Sequence, residues 1–302
     1  MVRTALALAL AIALATSASA YDRLYTGGTA AVAEAPSFGI EGSALFFIAD
    51  SAFDADGESQ DWPDGTRFSG KWFPVKIWYV PAPGLEVGVS PIFRMDTMEF
   101  ASIEDDYSGT GIGDTWAWAR YSFSDEPVLS ARLGAKLPTG NDEVLAEEEE
   151  LILGSGQTDI DLSLMVGLPA GEGLLDVAFG YRLRMERGED DDVVGEVSYA
   201  PGVKPGDEIH FLLGYSHRIG EAVKLRLGAD GFFGAEPTKD GESIPSEVPG
   251  ENEPAMSGVF INPGVDYVFQ NGVRVGVDVH YPLMGASIEK HTGFGITVGF
   301  NS

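Results

Sequence analysis

The sequence predicts an all-β fold: an antiparallel up-and-down transmembrane β-barrel of about twelve strands. Three observations carry that expectation. Apolar residues fall on every second position from one end of the mature chain to the other. Short and long connections alternate without exception. No stretch after the N-terminal leader has the roughly 20 consecutive apolar residues that a spanning helix needs.

The leader is "MVRTALALALAIALATSASA". It combines Arg3, an apolar run and an Ala18-Ser19-Ala20 cleavage pattern, so residues 1–20 read as a signal peptide and 21–302 as one outer-membrane barrel domain. Within that domain, residues 21–36 read as a periplasmic or lumen-plugging segment ahead of the first strand.

Alternation is clearest in "DIDLSLMVGLPAGEGLLDVAFGYRLRM", from Asp159 to Met185. Ile160, Leu162, Leu164, Val166 and Leu168 share one face, while Asp159 and Asp161 share the other. Strands are expected at 37–50, 67–80, 85–99, 112–124, 128–139, 157–169, 174–186, 206–219, 222–234, 257–269, 273–284 and 292–300. Tight links follow Val80, Ser124, Leu168, Ile219 and Phe269. The connections at 51–66, 100–111, 140–156, 187–205 and 235–256 are long, with a modest one at 285–291. Outer-membrane barrels sort their loops this way, with brief periplasmic turns and long external loops.

Charge and aromatic residues are sorted too. The chain has 19 Lys and Arg against 47 Asp and Glu, a net charge of −28. The acidic runs "DSAFDADGESQDWPDG", "NDEVLAEEEE", "ERGEDDDVVGE" and "KDGESIPSEVPGENEP" all fall in long loops. Such a balance disfavours nucleic acid as a partner, because phosphates are repelled. Tyr79, Tyr121, Phe123, Tyr215, Tyr267, Phe269 and Phe300 gather on the apolar face near the short-turn end, where a headgroup-level girdle belongs. With no cysteine, thiolate zinc sites, disulfides and a lipid-anchoring cysteine are all excluded. The 39 glycines suit turns and tight inward positions.

Strand parity assigns an inward face. Its acids are Glu41, Glu86, Asp96, Asp114, Asp159, Asp161, Asp176, Glu208, Asp230, Asp266 and Asp278. Its bases are Lys76, Arg94, Arg120, Arg132, Lys136, Arg182, Arg184, Arg218, Lys224, Arg226 and Arg274. Matched charges of this kind brace a narrow wall by pairing. Trp72, Trp78, Trp116 and Trp118 also point inward. Beside Arg120 they offer stacking and cation–π surfaces to a small aromatic or hydrophobic solute. The candidate solute path is therefore Trp72, Lys76, Trp78, Asp114, Trp116, Trp118, Arg120, Arg132, Lys136, Arg182 and Arg184. The competing reading makes the same groups structural, with rings and ion pairs filling space.

Motifs for other chemistry fail. "DADGESQD" loses calcium-loop spacing after Asp56. "AEEEE" is exposed charge. "GTGIGD" has no following helix to cradle phosphate. His210, His217, His280 and His291 form no metal spacing, and Ser216 and His217 point to opposite faces. No catalytic site, metal site or cofactor is expected.

The segments "GTGIGDTWAWARYSF", "LSARLGAKLPTGND", "LGSGQTDIDLSLMVGL", "FGYRLR", "KPGDEIHFLLGYSHRI" and "VFINPGVDYVF" resemble, in order, successive strands of one family. It is the outer-membrane transporter family named for the meta-pathway of phenol degradation. The opening "DRLYTGGTAAVAEAPSFGIEGSALFF" is similar to its usual start. The resemblance covers nearly all of the mature chain. It implies a porin-like barrel in the cell outer membrane and passage of aromatic or other hydrophobic compounds, and it supplies no catalytic residues. The expected partners are the lipid bilayer, a small-molecule solute and the barrel-insertion machinery. The alternative is a sealed structural or interaction barrel with acidic external loops and no transport. An outer-membrane hydrolase lacks the polar constellation it needs.

Overall fold

The computed structural model describes residues 30–63, 65–100, 106–140, 151, 153–186, 203–239, 241–244 and 255–301. The expected signal peptide, most of residues 21–36, the run "NDEVLAEEEE" and nearly all of "ERGEDDDVVGE" lie outside the described residues. The described residues form a closed antiparallel barrel of 12 strands, without helices.

In chain order these are β1 (Ser37–Ala49), β2 (Arg67–Ala82), β3 (Leu85–Ser90 and Ile92–Glu99), β4 (Tyr107–Ile112 and Thr115–Asp125), β5 (Val128–Leu137) and β6 (Asp159–Ala170). They continue with β7 (Gly173–Arg184), β8 (Glu208–Ile219), β9 (Val223–Gly234), β10 (Ser257–Val268), β11 (Val273–Ala286) and β12 (Thr292–Asn301). The interruptions in β3 and β4 do not break the wall. The Pro91 carbonyl accepts from Val75 N–H at 2.9 Å, and Gly113 N–H donates to Ile92 at 2.9 Å.

Every strand pairs with its sequence neighbours, and β1 closes the ring by pairing with both β12 and β2. At that seam Glu41 lies opposite Gly299 on one side and Lys76 on the other. Closure satisfies each backbone donor and acceptor between strands, as hydrocarbon requires. Burial is inverted relative to a water-soluble protein. On β6, Leu162 and Leu164 are 57% and 58% exposed, while Asp159 and Asp161 are fully buried at 0%. An apolar exterior on this scale is a lipid-facing surface. The seven aromatic residues expected at the short-turn rim are all exposed on it.

One expectation needs correction. The fourth strand starts at Tyr107 and not near residue 112. Its inward positions there are glycines, so no alternation of side chains marks it. Leu151 and Leu153 fill their place: Leu151 N–H donates to Ser108 at 3.1 Å, and an added Cβ at Gly109 would meet Leu151. The long connections also hold structure of their own. Ser51–Phe53 pairs with Ser59–Asp61 and Ile288–Glu289, and Val203–Lys204 joins Thr238–Lys239 and Glu242–Ser243 in a second small sheet.

The first small sheet folds over the external end of the bore. Two apolar clusters lie inside the barrel, the second including Phe53 and Ile288 of that sheet. One contains Leu45, Phe47, Phe68, Trp72, Met98, Phe100 and Leu151; the other contains Phe53, Phe232, Phe260 and Ile288.

Candidate functional site

Inward-facing side chains divide the bore into two unlike halves. On β2 to β7 they are bulky and interlocked. Trp72 Nε1 donates to Asp96 at 2.7 Å, and the Arg94 guanidinium lies 4.4 Å from the centre of a Trp72 ring. Trp118 Nε1 donates to Glu86 at 3.0 Å, and Arg120 pairs with the same carboxylate at 2.6 Å. Arg182 stacks on Trp116 at 4.6 Å. The Lys76 ammonium lies 5.6 Å from Trp78 and 5.3 Å from Trp118.

Asp161 is the hub of this half. It meets Arg132 at 3.2 Å, Arg182 at 3.9 Å and His210 at 2.5 Å, and accepts from Ser163 Oγ at 2.5 Å. Nearby, Lys136 bridges Asp159 at 2.8 Å and Asp114 at 3.9 Å, and Arg184 pairs with Glu208 at 3.0 Å. Asp114 also takes Ser155 N–H at 2.8 Å and Gly140 N–H at 3.2 Å, pinning the ends of the long connection between β5 and β6. Thus all eleven residues of the candidate path face the bore, on β2, β4, β5 and β7. Trp72, Trp116 and Trp118 are buried, and only Trp78 is half-exposed.

The other half, from β8 through β12 to β1, combines small inward residues with the buried Leu45, Phe47, Phe232, Phe260 and His280. Gly228, Gly264, Gly276, Gly295 and Gly299 occupy inward positions there. Its charges form a looser set near the short-turn end. Arg226 pairs with Asp266 at 3.0 Å and Asp278 at 3.7 Å; Arg274 pairs with Glu41 and lies 3.8 Å from Asp266. Sequence parity places these groups inside, but the candidate path omits them. The glycines on β9 to β12 are the signal: Arg226 lies over Gly264, Asp266 over Gly276, and Asp278 and Leu45 over Gly295.

Depth matters as well as side. In the external half, inward residues are buried, including Asp230, His280, Arg182 and Glu208. Asn262 bridges two of them, donating to Asp230 and contacting His280 Nδ1 at 2.6 Å. In the short-turn half, Glu41, Lys76, Lys224, Arg226, Arg274 and Asp278 are partly accessible. Ala30 is buried against this level, and its N–H donates to Asp176 on β7 at 3.2 Å. Since β7 lies half the ring away from β1, residues 31–36 run from one wall to the opposite one. They pass the turns at Pro83–Gly84 and Asp125 on the way, along the bulky half.

The external sheet adds a buried polar pair. His291 bonds to Glu289, and its ring lies 5.2 Å from Phe47 and 5.3 Å from Phe68, two rings that are 5.7 Å from each other. Loss of hydration pushes the Glu289 carboxyl well above its ordinary value, and Asp96 adds to the shift. The same loss pulls His291 down to about 3. Asp54, in the acidic loop, accepts N–H bonds from Asp56 at 3.0 Å and Glu58 at 2.8 Å, so this carboxylate closes its own loop. No group of three metal-ligating side chains exists among the described residues.

No family model matches the sequence, and no curated protein does. Solved structures do. An outer-membrane channel from Pseudomonas putida F1 is 15% identical, with 91% of this chain and 98% of that chain covered and a TM-score of 0.72. The translocator domain of the autotransporter NalP from Neisseria meningitidis is 14% identical, with 96% and 98% covered and a TM-score of 0.54. At such identities the likeness is one of fold. With the lipid-facing exterior and the closed ring, it makes this chain an outer-membrane β-barrel of porin-like architecture.

Proposed function

We propose that the barrel is a passive channel for small solutes, exported by its signal peptide and inserted by the barrel-assembly machinery. The observation that carries this reading is the partly accessible, charged short-turn half of the bore. A wall serving only as a plug gains nothing from charges left in contact with water.

For the solute, the tryptophan wall supports small aromatic or hydrophobic compounds. Trp78 is the indole with an open face and has the Lys76 ammonium beside it. The indole N–H groups of Trp72 and Trp118 are committed to carboxylates, so these rings act as the fixed side of the passage. In this reading the N-terminal segment 21–36, of which residues 30–36 cross the short-turn end, is the obstruction.

A second reading is a sealed barrel that does not transport. It is favoured by the external apolar cluster, in which Leu45, Phe47, Phe68 and Trp72 are all buried. Planar-bilayer conductance and liposome swelling separate the two, measured on the mature protein and on a form lacking residues 21–36. The channel reading expects small conductance from the first and several-fold more from the second. If neither conducts nor admits an aromatic solute, the sealed barrel stands.

A further inference from the structure

The glycine-lined half of the bore carries a second selectivity that its tryptophan wall does not explain. Its acidic groups are withdrawn and its basic groups are presented to water. Side-chain exposure is 1% for Asp266 and 15% for Asp278, against 31% for their partner Arg226. For the other pair it is 19% for Glu41 and 34% for Arg274. Lys224 is half-buried on the same wall, and among the described residues no carboxylate lies within ion-pair distance of its ammonium.

We propose that this half of the bore is a binding and selection site for small anions, with Arg226, Arg274 and Lys224 as its cationic contacts. The physical reason is length. An Asp or Glu bonded at its root to a neighbouring strand keeps its charge against the wall, whereas a guanidinium reaches past it into the water. Each guanidinium has five N–H donors. Arg274 meets Asp266 only at 3.8 Å, beyond hydrogen-bond range, so some of its donors remain for a ligand. Low-dielectric walls focus such a field and concentrate counter-ions within it. The chain's net charge of −28 is a sum over all residues, whereas here Arg226, Arg274 and Lys224 face Glu41, Asp266 and Asp278 in equal number, and the bases reach further toward water.

Small anions therefore meet a favourable potential where the chain as a whole would repel them. The inference uses the channel reading only for the route by which ions cross; the site itself is reached from the short-turn end. Trp78 reports on it directly. Its ring covers Gly39, two residues along β1 from Glu41, the partner of Arg274.

The test is collisional quenching of tryptophan fluorescence in a zwitterionic detergent, with Trp62→Phe removing the partly exposed loop indole. Iodide is expected to quench several-fold more strongly than caesium at matched ionic strength. Arg226→Gln with Arg274→Gln should abolish or invert that preference, since Glu41, Asp266 and Asp278 are then uncompensated. Should the double variant fail to fold, judged by heat-modifiable mobility, Lys224→Gln breaks no pair and should still weaken the preference. Arg67→Gln, at an exposed external pair with Glu99, should leave it unchanged. Equal quenching by caesium in the parent, or an iodide preference that survives every bore variant, would overturn the anion site. Absence of bilayer conductance with the iodide preference intact would instead overturn the channel reading.

Discussion

Asp161 illustrates what one residue's position reveals and what it conceals. Parity put its carboxylate and the Arg182 guanidinium on the inward face, and those placements were legible. The contact with His210, two strands away, was not. It exists because Gly180 lies between them, and the imidazole reaches over a residue without a side chain. Pairing of this kind depends on which neighbour leaves a gap, a fact about three strands at once. Removing one member of a buried charge set typically costs about 3–5 kcal/mol, so such hubs fix the wall rather than decorate it. Glu289 and His291 give a residue-scale prediction. Both are favoured in their neutral forms when the external sheet is packed. The raised Glu289 contribution is present below the ordinary value of 4.5 and is lost as pH rises through the folded value. The lowered His291 contribution is present above 6.5 and is lost as pH falls toward about 3. The sheet should hold tightest between those ordinary values. Limited proteolysis of its loops should accelerate at pH 8, and Glu289→Gln should slow that nicking several-fold there while changing little at pH 5.

At the scale of the strand, the recurring device is an aromatic ring laid over a glycine directly across the ladder. Phe47 covers Gly70, Trp78 covers Gly39, and Trp118 covers Gly88. The rings lie along the wall instead of standing into the bore, and the Trp118 N–H then reaches Glu86. Gly88→Ala places a methyl group within the Trp118 ring, and overpacking of that kind costs about 1–3 kcal/mol. Thermal unfolding in detergent should show that loss, and Trp118→Ala should shrink it in a double-mutant cycle. Strand limits were legible to within about two residues wherever apolar and polar side chains alternate. The start of β4 was not, because Gly109, Gly111 and Gly113 leave its inner face blank and Leu151 and Leu153 supply what they lack.

Across the whole molecule, the closed ring, the sorted loops and the lipid-facing side followed from periodicity alone. The unequal filling of the bore did not. Bulky inward residues on β2 to β7 and small ones on β9 to β12 were visible as letters. Which of them meet across the bore is settled only when the ring closes and opposite strands face each other. The position of Ala30 against Asp176 was hidden for the same reason. An even number of spans carries one more implication, for where the polypeptide's extremities meet the cell. The ladder that begins at Ser37 and the one that finishes at Asn301 open onto the same compartment. An epitope appended at the carboxyl end should be invisible to antibody on intact cells, while the same epitope grafted between β9 and β10 should be bound without permeabilisation.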